Sequence, residues 1–180
     1  MENLGVPFEI VTAETDETSE EKDPRRLVEL LSARKGEAVY EMLLRDGQDL
    51  RDTVVISSDT VVAIDGEILG KPRDEEDAKR MLRMLSGRRH EVVSGICLIG
   101  NGRRGVAHEV TEVEFDLLDE DTVARYVQKA SPYDKAGAYA IQGLASAYIK
   151  GIHGCYFNVV GLPIHRLNML YAKTFGEKFL

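Results

Sequence analysis

Between Thr53 and Ile64 the chain reads Thr-Val-Val-Ile-Ser-Ser-Asp-Thr-Val-Val-Ala-Ile. This is a run of β-branched residues broken by a polar tetrad. Such side chains are stiff at the first torsion and sit better on a pleated surface than on a helix. A run this continuous fits a strand buried on both faces. It therefore carries Ser57, Ser58, Asp59 and Thr60 into the apolar part of the molecule. Asp59 is the costly member, because a carboxylate among valines is strongly unfavourable unless paired, hydrogen-bonded or bound to a cation. The residues alone leave two readings open: a structural Asp at a strand end bonded to backbone amides, or a functional one.

The flanking sequence supplies the strand's neighbours. Leu4–Val11 alternates imperfectly and reads as a strand entry, and Glu14–Glu21 reads as a solvated acidic loop. A helix is predicted from Asp23, a good N-cap, with Pro24 in the first helical position and Leu27, Leu30, Leu31 and Ala38 as its stripe. Asp65-Gly66 and Asn101-Gly102 are hairpin turns by type. Asp74 caps a second helix with Ala78, Met81, Leu82 and Leu85 on one face, and Gly87 ends it. Glu91–Ile99 reads as a strand. Its return strand points Thr111, Val113, Phe115 and Leu117 one way and Glu112, Glu114 and Asp116 the other. Asp119 opens a helix bearing Val123, Tyr126, Val127 and Ala130; Ser146–Ile149 is a candidate short strand; Leu167, Leu170 and Tyr171 mark a last helix. Strands and helices interleaved in 180 residues predict one domain, residues 1–180, of α/β or α+β class.

Composition narrows the partners. Hydrophobic residues make up 43%, enough for a core at this length. No run is long and apolar enough to span a bilayer, and Met1–Gly5 lacks the basic start and apolar stretch of a leader. Cys97 and Cys155 are too few for a disulfide framework or a four-thiolate zinc site, so a reducing, cytoplasmic setting is expected. Asp and Glu number 31 against 23 Lys and Arg, a net charge of −8. Nucleic-acid polymers and membranes are thus not expected partners. A small anion is still accessible through a few placed lysines or a metal ion.

Three more places hold polar residues that packing does not explain. Lys71 stands on a constrained turn between Gly70 and Pro72, suited to a phosphate, although an exposed turn lysine is the plainer reading. Asp134-Lys135-Ala136-Gly137 with Gln142-Gly143 combines small residues, a charge and an amide that can both donate and accept; the alternative is a tight packed turn. Asp16 and Glu17 are either metal ligands or solvated side chains. His153 and Cys155 are poorly spaced for a nucleophilic pair. Carboxylates and lysines without an obvious nucleophile suit metal-assisted phosphoryl or nucleotidyl chemistry by an activated water.

Four stretches occur here in the order and spacing of the Maf family: SSDTVVAIDGEILGKP from Ser57, AKRMLRMLSGRRHEVVSG from Ala78, DKAGAYAIQG from Asp134 and NVVGLP from Asn158. The chain resembles those nucleoside triphosphate pyrophosphatases, also described as septum-formation inhibitors, over nearly its whole length. Thr60 and Gln142 look like the branch acting on dTTP and UTP. The resemblance implies an elongated α/β fold of the Maf and ITPase-like kind, with a mixed central sheet flanked by helices, a nucleotide cleft and a homodimer. It implies Asp59 as proton acceptor, acting with a divalent cation (Mg²⁺ or Mn²⁺) held with Glu17. Lys35, within ARKGEAV and followed by Gly36 where Ala is usual, looks like a cleft lysine; Lys71 and Lys135 look like the other phosphate-facing lysines. Thr60 and Gln142 look like base-specificity positions. Water attack on the α-phosphorus would then give the monophosphate and pyrophosphate.

Two departures shape the expectations. The family's opening strand and Ser-Pro-Arg-Arg-like turn have no counterpart ahead of Glu2-Asn3-Leu4-Gly5, which leaves two readings: a start assigned or cut late, or a chain with a gap or an exposed strand edge in its sheet. Ser131 precedes Pro132 where the family usually has Glu. The alternative functions are a weakened nucleotide-binding or interaction protein linked to cell-division arrest, and a pyrophosphatase acting on 7-methyl-GTP.

Overall fold

The computed structural model describes residues 4–179; Met1–Asn3, within the stretch read above for a leader and for the family's opening segment, and Leu180 lie outside the described residues. The elements in chain order are α1 (Pro24–Arg45), β1 (Val55–Ile64), β2 (Glu67–Leu69), α2 (Glu75–Leu85), β3 (Arg89–Gly100), β4 (Arg103–Phe115), α3 (Glu120–Ala130), β5 (Ile149–His153), α4 (Tyr156–Val160) and α5 (Ile164–Phe175). The strands form one sheet of order β2-β1-β3-β4-β5 with helices on its faces, the expected α/β architecture. The resemblance implied a mixed sheet, but every pairing among the described strands is antiparallel. Two of the pairs are hairpins on two-residue turns, a connection open only to antiparallel strands. Asp65-Gly66 and Asn101-Gly102 both have positive φ at each residue, the type I′ geometry that matches strand twist.

The alternation of β1 divides the molecule. Val55 and Val61 point to the α1 face, where Val61 packs with Val28 and Val93. Ile56 points to the opposite face and meets Leu167 and Leu170 of α5, while Val62 and Ile64 join the largest core with α2 and α3. Between those two cores, Ser57–Thr60 is only half-buried, so the strand is not buried on both faces throughout. β2 pairs with Val62–Ile64 alone; the Val55–Val61 edge of β1 has no strand beside it among the described residues.

The helices follow their sequence signals where the buried side chains are large. Asp74 and Asp119 cap α2 and α3 by accepting from Asp77 N and Thr122 N, and Ala78, Met81, Leu82, Leu85, Val123, Tyr126 and Val127 are buried as predicted. α1 departs from its stripe: Leu30 is exposed, and the buried face is Val28, Leu31, Ser32, Ala33, Gly36 and Leu43. Small residues let α1 lie close to the sheet, and a Cβ on Gly95 of β3 would stand 2.1 Å from the Val28 carbonyl oxygen. Leu4–Val11 forms no strand, and Ile10 is 85% exposed, because nothing pairs with it. Leu117 lies past the end of β4 and is exposed. Ser146–Ile149 is mostly a 3-10 turn, and the strand follows it as β5, an exposed edge strand whose Gly151 and polar residues gave no apolar signal. No helix among the described residues is long and apolar enough to cross a membrane.

Candidate active site

A cavity of about 740 Å³ opens beside the uncovered stretch of β1. Five of the segments that wall it carry charged or polar side chains singled out in the sequence. The extended chain before α1 brings Glu17, α1 brings Lys35, β1 brings Asp59 and Thr60, the turn after β2 brings Lys71, and the loop after α3 brings Lys135 and Gln142. The seven residues to which the family resemblance assigns site roles thus line one space. The two lysine loops are tied together, since Gly137 N–H donates to the Gly70 carbonyl at 3.0 Å. Gly137 has φ +66° and its missing Cβ would meet Val62 at 2.8 Å, so only glycine lets this loop close over the sheet. Lys135 pairs with its neighbour Asp134 at 2.8 Å, with both side chains well exposed.

Charge concentrates on the α1 face. Lys35 Nζ lies 2.5 Å from Asp59 Oδ1 and 3.0 Å from Glu17 Oε1. The Asp59 side chain is only 10% exposed. Its burial raises its carboxyl above the ordinary value, outweighing the Lys35 hydrogen bond and the charges of Lys35 and Lys71, which pull it down. Burial pulls the Lys35 ammonium down, but hydrogen bonds and attraction from Asp59 and Glu17 together hold it above its ordinary value. A half-hidden carboxyl with raised proton affinity, steadied by a cation, is suited to taking a proton from water. Asp16 does not join it: its Oδ1 accepts from Thr18 N–H at 2.9 Å and Thr18 Oγ1 at 2.6 Å, closing a turn on itself.

The opposite face of β1 is neutral. Ser58 Oγ lies 2.7 Å from the Gly161 carbonyl oxygen and 2.8 Å from that of Gly95, with one proton to give to one or the other. Thr60 Oγ1 and Ser94 Oγ are 2.7 Å apart, and Ser94 Oγ donates to the Asn158 carbonyl at 3.0 Å. The Asn158 amide donates to the Val92 carbonyl at 2.9 Å and to Thr111 Oγ1 at 3.1 Å. These bonds seat α4 and Gly161 on the sheet, so that Val160 and Gly161 wall the cavity next to Thr60.

A family model described as "Maf-like protein" matches residues 1–174. The chain belongs to the Maf family. A protein of Pelotomaculum thermopropionicum named dTTP/UTP pyrophosphatase is 47% identical over 184 residues, covering 100% of this chain and 92% of that one. Proteins of the same name from Ruminiclostridium cellulolyticum and Desulforamulus reducens are 41% and 46% identical, covering 100% and 93% of this chain and 91% and 85% of theirs.

Several residues in the cleft wall or buried behind it carry no sequence signal of their own. Ser58, Ser94 and Asn158 lie inside the stretches that carry the family likeness, but a serine or asparagine in an apolar run gives no sign of its bonding partner. Tyr139 also walls the cavity, its hydroxyl 2.7 Å from His90 Nε2. Ser131 has φ +44° and ends α3, where its N–H donates to Val127 O. His153 lies on exposed β5, and among the described residues no hydrogen bond joins it to Cys155, whose backbone N–H and carbonyl are bonded to Thr111 Oγ1.

Whether a divalent cation fits can be judged from Glu17 and Asp59. Both direct an oxygen at one point, now taken by the Lys35 ammonium. Among the described residues no group of three or more His, Cys, Asp or Glu converges as a metal site. Magnesium is commonly held by one or two carboxylates together with substrate phosphates, and this pair fits that mode.

Proposed function

We propose that this chain hydrolyses dTTP and UTP to the monophosphate and pyrophosphate. The observation that carries the reading is the convergence of Lys35, Lys71 and Lys135 with Asp59 in one cavity, in a chain 47% identical to a dTTP/UTP pyrophosphatase. Three lysines suit a triphosphate, whose charge grows on the phosphate oxygens during reaction; such electrostatic stabilisation is commonly the largest catalytic contribution.

In this reading Asp59 accepts a proton from water as its oxygen bonds to the α-phosphorus. The bond from that phosphorus to the bridging oxygen breaks, and pyrophosphate leaves with the bonding pair. Lys35, turned from Asp59 and Glu17 to the phosphates, joins Lys71 and Lys135 in offsetting their charge. Glu17 and Asp59 would hold a Mg²⁺ or Mn²⁺ ion with the phosphates, and that ion would supply further charge neutralisation and a more acidic water. Thr60 and Gln142 face the base. Two further parts of this proposal are the homodimer, which rests on the family resemblance, and the cytoplasmic setting, which rests on the use of only two cysteines.

The test is product analysis over a panel of dTTP, UTP, CTP and 7-methyl-GTP with Mg²⁺ or Mn²⁺. The expected outcome is pyrophosphate and monophosphate, fastest from dTTP and UTP. Negligible turnover of all four, or release of diphosphate and phosphate, overturns the reading; a preference for 7-methyl-GTP moves the chain to the other substrate branch.

A further inference from the structure

The hydroxyl chain beneath α4 has a direction, and the direction bears on which base the cleft takes. Ser94 is fully buried and stands opposite Thr60 in the β1–β3 register. Its Oγ lies 3.0 Å from the Asn158 carbonyl oxygen and 2.7 Å from Thr60 Oγ1. A carbonyl only accepts, and a serine hydroxyl has one proton. With that proton on the Asn158 carbonyl, Ser94 accepts from Thr60, and both bonds are made. With Ser94 donating to Thr60 instead, only one of the two is made. One buried hydrogen bond favours the first arrangement by roughly fivefold. Thr60 then turns its proton away from the cavity and presents lone pairs to it.

We propose that Ser94 is a positioning residue that keeps Thr60 an acceptor, so that the cleft prefers bases with a ring N–H over bases with a bare ring nitrogen at that place. This rests on the pyrophosphatase reading above. Uracil and thymine carry an N–H between two carbonyls; cytosine carries a lone pair there, which would face the lone pairs of Thr60. Gln142, on the same cavity, cannot impose this choice alone. Its amide offers donor and acceptor together and turns over to match either base.

The experiment compares kcat/KM for UTP and CTP in the unmodified chain, Ser94→Ala and Thr60→Val. Removing the Ser94 hydroxyl frees Thr60 to rotate and donate to cytosine. The UTP-over-CTP preference is expected to fall by up to about fivefold in Ser94→Ala, the whole of that bias, and to fall as well in Thr60→Val, which keeps the shape and loses the acceptor. A merely structural role for Ser94 would lower both substrates together and leave the ratio alone. An unchanged ratio in a Ser94→Ala protein with native melting overturns the inference. Should that variant not fold, an unchanged ratio in Thr60→Val overturns it instead, and a lowered one supports it. A chain that cleaves UTP and CTP equally well defeats only this inference; one that cleaves neither UTP nor dTTP defeats the functional reading and the inference together.

Discussion

Asp59 and Thr60 are neighbours in one strand, yet they belong to two different half-sites. Asp59 faces α1 and meets Lys35 and, across it, Glu17. Thr60 faces α4 and meets Ser94 and, through it, Asn158. One face of β1 is held by ion pairs, the other by hydroxyls and carbonyls. Successive side chains in a strand always part in this way. They reach the same cavity here because β2 covers only Val62–Ile64, leaving both faces open around the uncovered edge. A charged half suits phosphates and proton transfer, and a neutral half suits discrimination between bases.

The sharpest way to break that division is Asp59→Asn. The amide keeps the shape but loses the charge and the proton-accepting oxygen. Turnover of dTTP and UTP is expected to fall by roughly 10³-fold, within the range for loss of a general base, with the fold retained. Pyrophosphate release alongside a melting curve checks it. A folded Asp59→Asn protein keeping a tenth of its turnover would place the proton acceptor elsewhere.

Acid should strain the neutral half through His90. This side chain is 3% exposed, packed edge-on against Phe115 and Tyr139, and burial lowers its pKa to about 4 from an ordinary 6.5. The folded chain therefore resists protonation that the unfolded chain accepts. His90's contribution is fully present above about pH 6.5 and is lost as pH falls towards 4. The total is on the order of 3 kcal/mol. Denaturant midpoints measured at several pH values between 7 and 4 should fall with pH, and less steeply in His90→Gln, which retains a polar partner for Tyr139. Equal slopes in the two proteins would refute the assignment to His90.

The sequence was most legible where one residue type carries one physical consequence. The capping aspartates Asp74 and Asp119, the two I′ turns and the β-branched run stand where they were expected. Asp59 declared itself by its cost among valines, and Lys35 is the cation that offsets it. Lys35, Lys71 and Lys135 could be placed together only through the family likeness, because no local rule joins residues a hundred positions apart. The α1 stripe was misjudged because its buried face is built of Ser32, Ala33 and Gly36, which carry little hydrophobic signal. The Ser94–Asn158 bond stayed hidden for a related reason: its acceptor is a backbone carbonyl, which every residue has. Leu4–Val11 has the composition of a strand, but a strand also needs a neighbour.

The smallest expected effect concerns the seat of the charged half. Gly36 follows Lys35 on α1. An added Cβ would meet Ser57 Oγ at 2.7 Å, with Ile99 and Cys97 at 3.4 and 3.5 Å. Ser57 Oγ now donates to the Ser32 carbonyl at 2.6 Å, and it would have to rotate away. Losing that bond costs about 1 kcal/mol. Replacing glycine by alanine inside a helix returns about 1 kcal/mol. The opposing effects are of one size, so Gly36→Ala should shift the melting temperature by no more than about 4 °C in either direction. Turnover should change by less than about threefold, since neither Lys35 nor Asp59 need move. A larger loss of turnover at unchanged stability would mean that the Lys35–Asp59 contact depends on how closely α1 lies on β1. The charged face would then be set by backbone packing, as the neutral face is set by hydrogen bonds, and the contrast between the two would narrow.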